Sequence, residues 1–202
     1  MKTAGLNENF VRECFRDMLK ALYYCHKIIK VIHRDIKPDN IMINHNNEAV
    51  LIDFGVSALV ENQEDDELKN NMGSYMFFAP EMFERKIKGI KVRGERTDIW
   101  ALGITLYYLL CGRYPFEAAK SPLHLKELIT EHEISYSLIK KEPARDLLKR
   151  MLQKDPDKRA TIDEIRESEW VLGKEKEVIE VDKVETDIKK DSFGNIQRLL
   201  KA

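Results

Sequence analysis

At 202 residues, 43% hydrophobic and 34% charged, the chain is long enough to bury one substantial core and too apolar to be a disordered tail. A formal net charge of −1 leaves no basic excess for nucleic acid or an anionic membrane surface. Cys14, Cys25 and Cys111 are odd in number and lack C-x-x-C spacing, which argues against a disulfide framework or a zinc site and for reduced thiols in a cytoplasmic setting.

The first residues, Met1-Lys2-Thr3-Ala4-Gly5, lack the apolar h-region of a signal peptide, so no targeting segment is expected. From Asn9 to Lys27, Phe10, Val11, Phe15, Met18, Leu19, Leu22 and Tyr23 recur at helical spacing and predict an amphipathic helix. Val31-Ile32, Ile41-Met42-Ile43 and Ala49-Val50-Leu51-Ile52 read as short buried strands that bracket His33-Arg34-Asp35-Ile36-Lys37-Pro38-Asp39-Asn40 and lead into Asp53-Phe54-Gly55. This loop and hairpin would bring Asp35, Asn40 and Asp53 together. Glu61 to Glu67 holds five acids and no apolar residue, which reads as a solvated loop.

Thr97-Asp98 opens an apolar run from Ile99 to Cys111, and Gly112 follows its last turn. The run is shorter than the eighteen or so residues that span a bilayer, so it predicts a buried core helix. Ser121-Pro122 caps a helix through about Thr130, Pro143 opens one through Leu152, and Thr161 with Glu164 forms a capping-box pattern for another.

The order His33-Arg34-Asp35, Asp53-Phe54-Gly55 and Ala79-Pro80-Glu81 resembles the catalytic half of a protein kinase. The resemblance covers roughly Leu6 to Leu172. It implies a mainly α fold: a protein-kinase-like C-terminal lobe over residues 1–173, with short β-hairpins at the catalytic cleft and the N-terminal β lobe absent. It further implies transfer of the ATP γ-phosphate to Ser or Thr hydroxyls of a protein substrate, with ATP and Mg²⁺ as cofactors. On the family's pattern Asp35 is the base and Lys37, the residue usual in serine/threonine kinases, stands near the γ-phosphate. Asn40 and Asp53 hold the metal, and Met42 lies beneath the adenine. His33, Arg34, Phe54, Gly55, Ser74, Glu81, Asp98 and Arg159 take structural or regulatory roles, with Arg159 paired to Glu81 and Asp98 bound to the catalytic-loop backbone. Tyr75 to Phe78 match the shelf beside the acceptor. Asp53-Phe54-Gly55-Val56-Ser57, the string Tyr107 to Phe116 and the tail segments Glu180 to Glu185 and Ser192 to Asn195 look like calcium/calmodulin-dependent protein kinase kinases.

The sequence also departs from that pattern. No two glycines are two residues apart, so the 202 residues hold no G-x-G-x-x-G loop, and nothing resembles the Val-Ala-x-Lys strand. Little or no activity is therefore expected of the chain in isolation, and a missing N-lobe or a full-length kinase becomes an expected partner. A non-catalytic, pseudokinase-like binding module or decoy is the competing reading, and a fragment of a longer kinase a third. Asn70-Asn71-Met72 stand before Gly73-Ser74, so the threonine many kinases phosphorylate in this loop is missing, and carboxylates of Glu64 to Glu67 are candidates to approach Arg34 instead. The tail 174–202 carries equal numbers of acidic and basic residues, which does not support calmodulin binding. Its Val178, Val181, Val184 and Ile188 would form a docking helix stripe, or the tail would be disordered.

Overall fold

The computed structural model describes residues 5–60, 66–68 and 70–173. The readings for residues 61–65 and for the tail fall outside them. Asn7 starts α1 (Glu8–Tyr23) by accepting at Oδ1 from the backbone N–H of Asn9 and Phe10, at 3.0 and 3.3 Å. Its predicted stripe is buried at Val11, Phe15, Met18, Leu19 and Leu22 and packs on β3, α3, α6 and α7. Beyond Tyr23 the helix widens into a π-helical turn (Tyr24–Ile28) that carries the buried Cys25 and His26.

Two small antiparallel sheets follow. β1 (Val31–Ile32) pairs with β4 (Ala58–Leu59), and β2 (Ile41–Ile43) pairs with β3 (Ala49–Leu51) in a hairpin registered Ile41 to Leu51 and Ile43 to Ala49. The expectation of buried strands holds for Val31, Ile32, Ala49 and Leu51, holds in part for Ile41, which packs against the core while half-buried, and fails for Met42, Ile43 and Val50. Met42 and Val50, a cross-strand pair, are 58% and 41% exposed because α1 covers only the opposite face of this two-stranded ribbon, and Ile43, at the end of its strand on the α1 side, is 44% exposed.

The centre of the fold is α3 (Gly94–Cys111), apolar around its whole circumference as a core helix must be, with Ile99, Trp100, Leu102, Ile104 and Leu106 buried. It begins three residues ahead of the expected Thr97-Asp98. Its first-turn Glu95 N–H donates to Asp66 Oδ2 at 3.0 Å, so the cap comes from a distant segment and not from the adjoining sequence. Gly94 is required there, since a Cβ would stand 2.6 Å from Ile32 Cγ1. Gly112, at φ 67°, closes the helix with its N–H on Tyr108 O at 2.8 Å, as expected.

Around α3 lie α2 (Pro80–Lys88), α4 (Pro122–Glu131), α5 (Glu142–Met151), α6 (Ile162–Arg166) and α7 (Glu169–Leu172). The Thr161–Glu164 capping box forms in both directions. All three cysteines are buried and unpaired, and desolvation pushes the Cys25 and Cys111 thiols up to about 12 and about 11. Among the described residues, no helix is long and apolar enough to cross a membrane.

Candidate active site

The chain between β1 and β2 is held from below by α3. Asp98, 1% exposed, accepts from the backbone N–H of His33 at Oδ2 (2.8 Å) and of Arg34 at Oδ1 (2.9 Å). Its Oδ2 also meets His26 Nε2 at 2.8 Å. The sequence marks His26 only by its place four residues beyond Leu22, in the π-helical turn that continues the apolar stripe of α1. A polar residue at a core position was the available signal. With its backbone fixed in this way, Arg34 sits at φ 69°, and Asp53 sits at φ 62°. Left-handed backbone at a non-glycine residue costs on the order of 1 kcal/mol or more and persists where surrounding contacts over-determine it.

The two strained points face each other through His33. Its Nδ1 accepts from Asp35 N–H at 3.3 Å, which leaves Nε2–H to donate to Ile52 O at 3.0 Å, and its ring meets Phe54 edge-on at 4.7 Å. Ile52 N–H also donates to Asn40 O at 2.9 Å, so Asp53 emerges one residue beyond two ties to the loop. Gly55 N–H then donates to Asp53 Oδ1 at 3.1 Å, while the Asp53 side chain is exposed.

Four groups converge on Asp35. Lys37 Nζ reaches Oδ2 at 2.6 Å and Asn40 Nδ2 reaches it at 3.0 Å, while Ser74 donates to Oδ1 from both N–H and Oγ at 3.0 Å. Burial pushes the Asp35 carboxyl up, but the hydrogen bonds from Lys37, Ser74 and Asn40 and the Lys37 charge outweigh it and hold the group below the usual carboxylate value. Asn40 Nδ2 also donates to Asp35 O at 2.8 Å, which turns the Asn40 carbonyl oxygen away from these donors.

Ser74 reaches Asp35 because Gly73 precedes it at φ 99°. A Cβ on Gly73 would lie 2.3 Å from Arg34 O and 3.3 Å from Asp35 Oδ1. Gly73→Ala is therefore expected to lift Ser74 off the carboxylate and destabilise the chain by about 1–3 kcal/mol. Chemical denaturation reads the stability, and faster amide exchange at Ser74 reads the displacement. The neighbouring Tyr75 is exposed and stacks on Phe78 with ring centroids 4.8 Å apart.

Away from the cleft, Arg159 grips Glu81 with two parallel bonds of 2.7 and 2.8 Å, both side chains buried. Of the acids expected at Arg34, Glu64 and Asp65 lie outside the described residues, and Asp66 and Glu67 are engaged elsewhere. Glu67 lies 3.9 and 3.8 Å from Arg85 and Lys91, and Asp66 caps α3, whereas Arg34 takes Asn70. Asp66, read as part of a solvated loop, is thus a structural cap, and no local pattern marked it because its partner lies 29 residues on. Met42 stands apart from the Asp35 group on the outer face of the hairpin.

Comparison with known sequences gives the family. The family described as "Protein kinase domain" matches residues 1–171. The chain is 37% identical over 87% of its length to CBL-interacting protein kinase 25 of Oryza sativa subsp. japonica and 39% identical over 80% to serine/threonine-protein kinase ssp1 of Schizosaccharomyces pombe. It is 36% identical over 84% to the SNF-related serine/threonine-protein kinase of Homo sapiens. It spans 33%, 26% and 21% of the lengths of these three relatives. A carboxylate held by lysine, asparagine and serine, on a loop anchored to a core helix, thus occurs in a chain that belongs to the protein kinase family, with two of these relatives named serine/threonine-protein kinases.

Proposed function

We propose that these residues form the C-terminal lobe of a serine/threonine protein kinase that transfers the ATP γ-phosphate to a protein hydroxyl. The observation that carries the reading is the Asp35 carboxylate, kept ionised and aimed by Lys37, Asn40 and Ser74. Phosphoryl transfer asks little covalent work of the protein, so positioning and charge neutralisation dominate. Asp35 accepts the proton of the attacking hydroxyl. Lys37, bridging Asp35 and Ser74 Oγ at 2.6 and 3.1 Å, keeps one positive charge where negative charge gathers. Ser74 links the base to the segment that presents the acceptor, and Tyr75 to Phe78 form the shelf beside it.

The donor set fits Mg²⁺. Asn40 spends its amide nitrogen on Asp35, leaving its carbonyl oxygen free, and Asp53 offers an exposed carboxylate. When bound, the ion would neutralise charge on the nucleotide phosphates.

The 202 residues hold no glycine-rich loop and no Val-Ala-x-Lys strand, so on this reading the chain alone transfers little or no phosphate. Met42 and Val50, paired across the hairpin, are exposed on one face, while Ile41 and Ile43 on the other line a cleft of about 120 Å³ with Leu6, Phe10, Met18 and Leu109. The Met42–Val50 face suits burial against an N-terminal lobe, with Met42 then beneath the adenine. The finer resemblance to calcium/calmodulin-dependent protein kinase kinases belongs to the same proposal. The second reading is a C-lobe binding module, which the same uncovered face favours.

An assay of the purified chain beside a longer version that supplies an N-lobe tests both. The short chain is expected to be silent and the longer one to phosphorylate Ser/Thr peptides, with Asp35→Asn lowering the rate by about 10²–10⁴-fold. Transfer that survives Asp35→Asn in the longer chain would sink the assignment of the base. Robust, Asp35-dependent transfer by the 202 residues alone would overturn the incomplete-lobe reading, and silence from both chains would favour the binding module.

A further inference from the structure

The guanidinium of Arg34 is engaged on three sides by uncharged acceptors. Nε donates to Val56 O, Nη2 to Ser57 O at 3.3 Å and Nη1 to Asn70 Oδ1 at 3.1 Å. The first two tie the catalytic loop to the turn after Asp53, which Ser57 Oγ reinforces through His33 O at 3.3 Å. The third ties it to the segment that ends at Ser74.

That segment is fixed at both ends of its described stretch by its own backbone and side chains. Asp66 accepts from Gly94 and Glu95 N–H at 2.9 and 3.0 Å, Leu68 N–H donates to Val92 O at 2.8 Å with its side chain buried, and Asn71 Nδ2 donates to Met82 O at 2.6 Å. Asn70 lies between these anchors and is the residue whose side chain joins them to the catalytic loop. Three residues on, the Gly73 backbone presses against Arg34 O, and Ser74 meets Asp35. Loops of this kind are commonly ordered by a phosphate that recruits an arginine. Here Arg34 already has its partner in a neutral amide.

We propose that Asn70 is a positioning residue: through Arg34, its amide oxygen sets the placement of residues 70–74 against the catalytic loop, so that Ser74 reaches Asp35 without a phosphate. The functional meaning of this clasp rests on the kinase reading above, but its existence does not. An amide accepts a charge-assisted bond from arginine with less strength than a phosphate would, which is consistent with the additional anchors at Asp66, Leu68 and Asn71.

Hydrogen exchange read by mass spectrometry on the full 202-residue chain tests the proposal, with no nucleotide and no phosphate transfer required. Asn70→Ala is expected to speed exchange across residues 70–76 about tenfold, the effect of one lost hydrogen bond to a charged group. Asn70→Asp, which keeps an acceptor facing Arg34, should restore slow exchange, and phosphatase treatment of the unmodified chain should change nothing. Added to Arg34→Ala, the Asn70→Ala change should have no further effect, since both remove the same interaction.

Unchanged exchange in Asn70→Ala, failure of Asn70→Asp to restore it, or acceleration by phosphatase would each overturn the proposal. If Arg34→Ala fails to fold, the Asn70→Asp arm decides the matter alone. Loss of phosphate transfer in every chain tested would instead strike the kinase reading and leave these exchange rates as they are.

Discussion

Arg159→Ala is expected to destabilise the chain by about 3–5 kcal/mol, the cost of leaving a buried charge without its partner. For a domain of this size that is a fall in melting temperature on the order of 10 °C. The magnitude follows from how much one side chain satisfies. Besides the two bonds to Glu81, Arg159 donates to Gln153 O at 2.9 Å and Arg96 O at 2.8 Å, and its guanidinium lies 5.1 Å from the centre of the Trp100 ring. Truncation strands the buried Glu81 carboxylate and removes the donor from three part-buried carbonyls, those of Gln153, Arg96 and Lys154, at once.

Glu81→Ala should cost less than Arg159→Ala, because the arginine keeps its carbonyl partners. Urea denaturation of the three chains measures both differences. A change below 1 kcal/mol for Arg159→Ala would show that water or rearrangement compensates the pair. Replacing both residues together with apolar ones of similar volume should recover much of the loss, since desolvation of the two charges disappears with them.

Asp98→Ala is expected to cost a comparable amount, about 3 kcal/mol or more, because it leaves three buried donors unpaired. Those donors are His33 N–H, Arg34 N–H and His26 Nε2, at 2.8, 2.9 and 2.8 Å. Asp98→Asn should not rescue it, since one face of the amide would set a nitrogen against backbone N–H groups. The distinguishing effect is local. Arg34 holds φ 69° only while both flanking N–H groups are tied down, so amide exchange over residues 33–36 should rise more than exchange in α5 or α7. Uniform acceleration throughout the chain would mean that Asp98 serves general stability and does not hold residues 33–36 specifically.

Much of the fold was readable in local patterns. The α1 stripe, the Gly112 stop, the helix begun at Pro122 and the Thr161–Glu164 box are all carried by residues within a turn or two of each other. The Arg159–Glu81 pair and the tie from Asp98 to the loop came from resemblance, since 78 and 64 to 65 residues separate the partners. Where local reading erred, the physical cause was distant. Ile41-Met42-Ile43 is apolar enough for a buried strand, yet burial depends on what lies across the ribbon, and α1 covers only one side. The start of α3 was misplaced because Asp66, not a neighbouring residue, caps it. The acidic loop was read as a source of charge for Arg34, but Asp66 and Glu67 are engaged elsewhere.

By itself the sequence determined the periodicities, the caps and the order of the signatures that place Asp35, Asn40 and Asp53 in one loop and hairpin, because helix and strand periods act over a few residues. Only the tertiary structure decided which donors hold Asp35, that His26 shares Asp98 with the loop, and that Arg34 closes on Asn70. Those choices depend on distances between residues far apart in the chain, and such distances are set by the packing of α3 against α1 and β1.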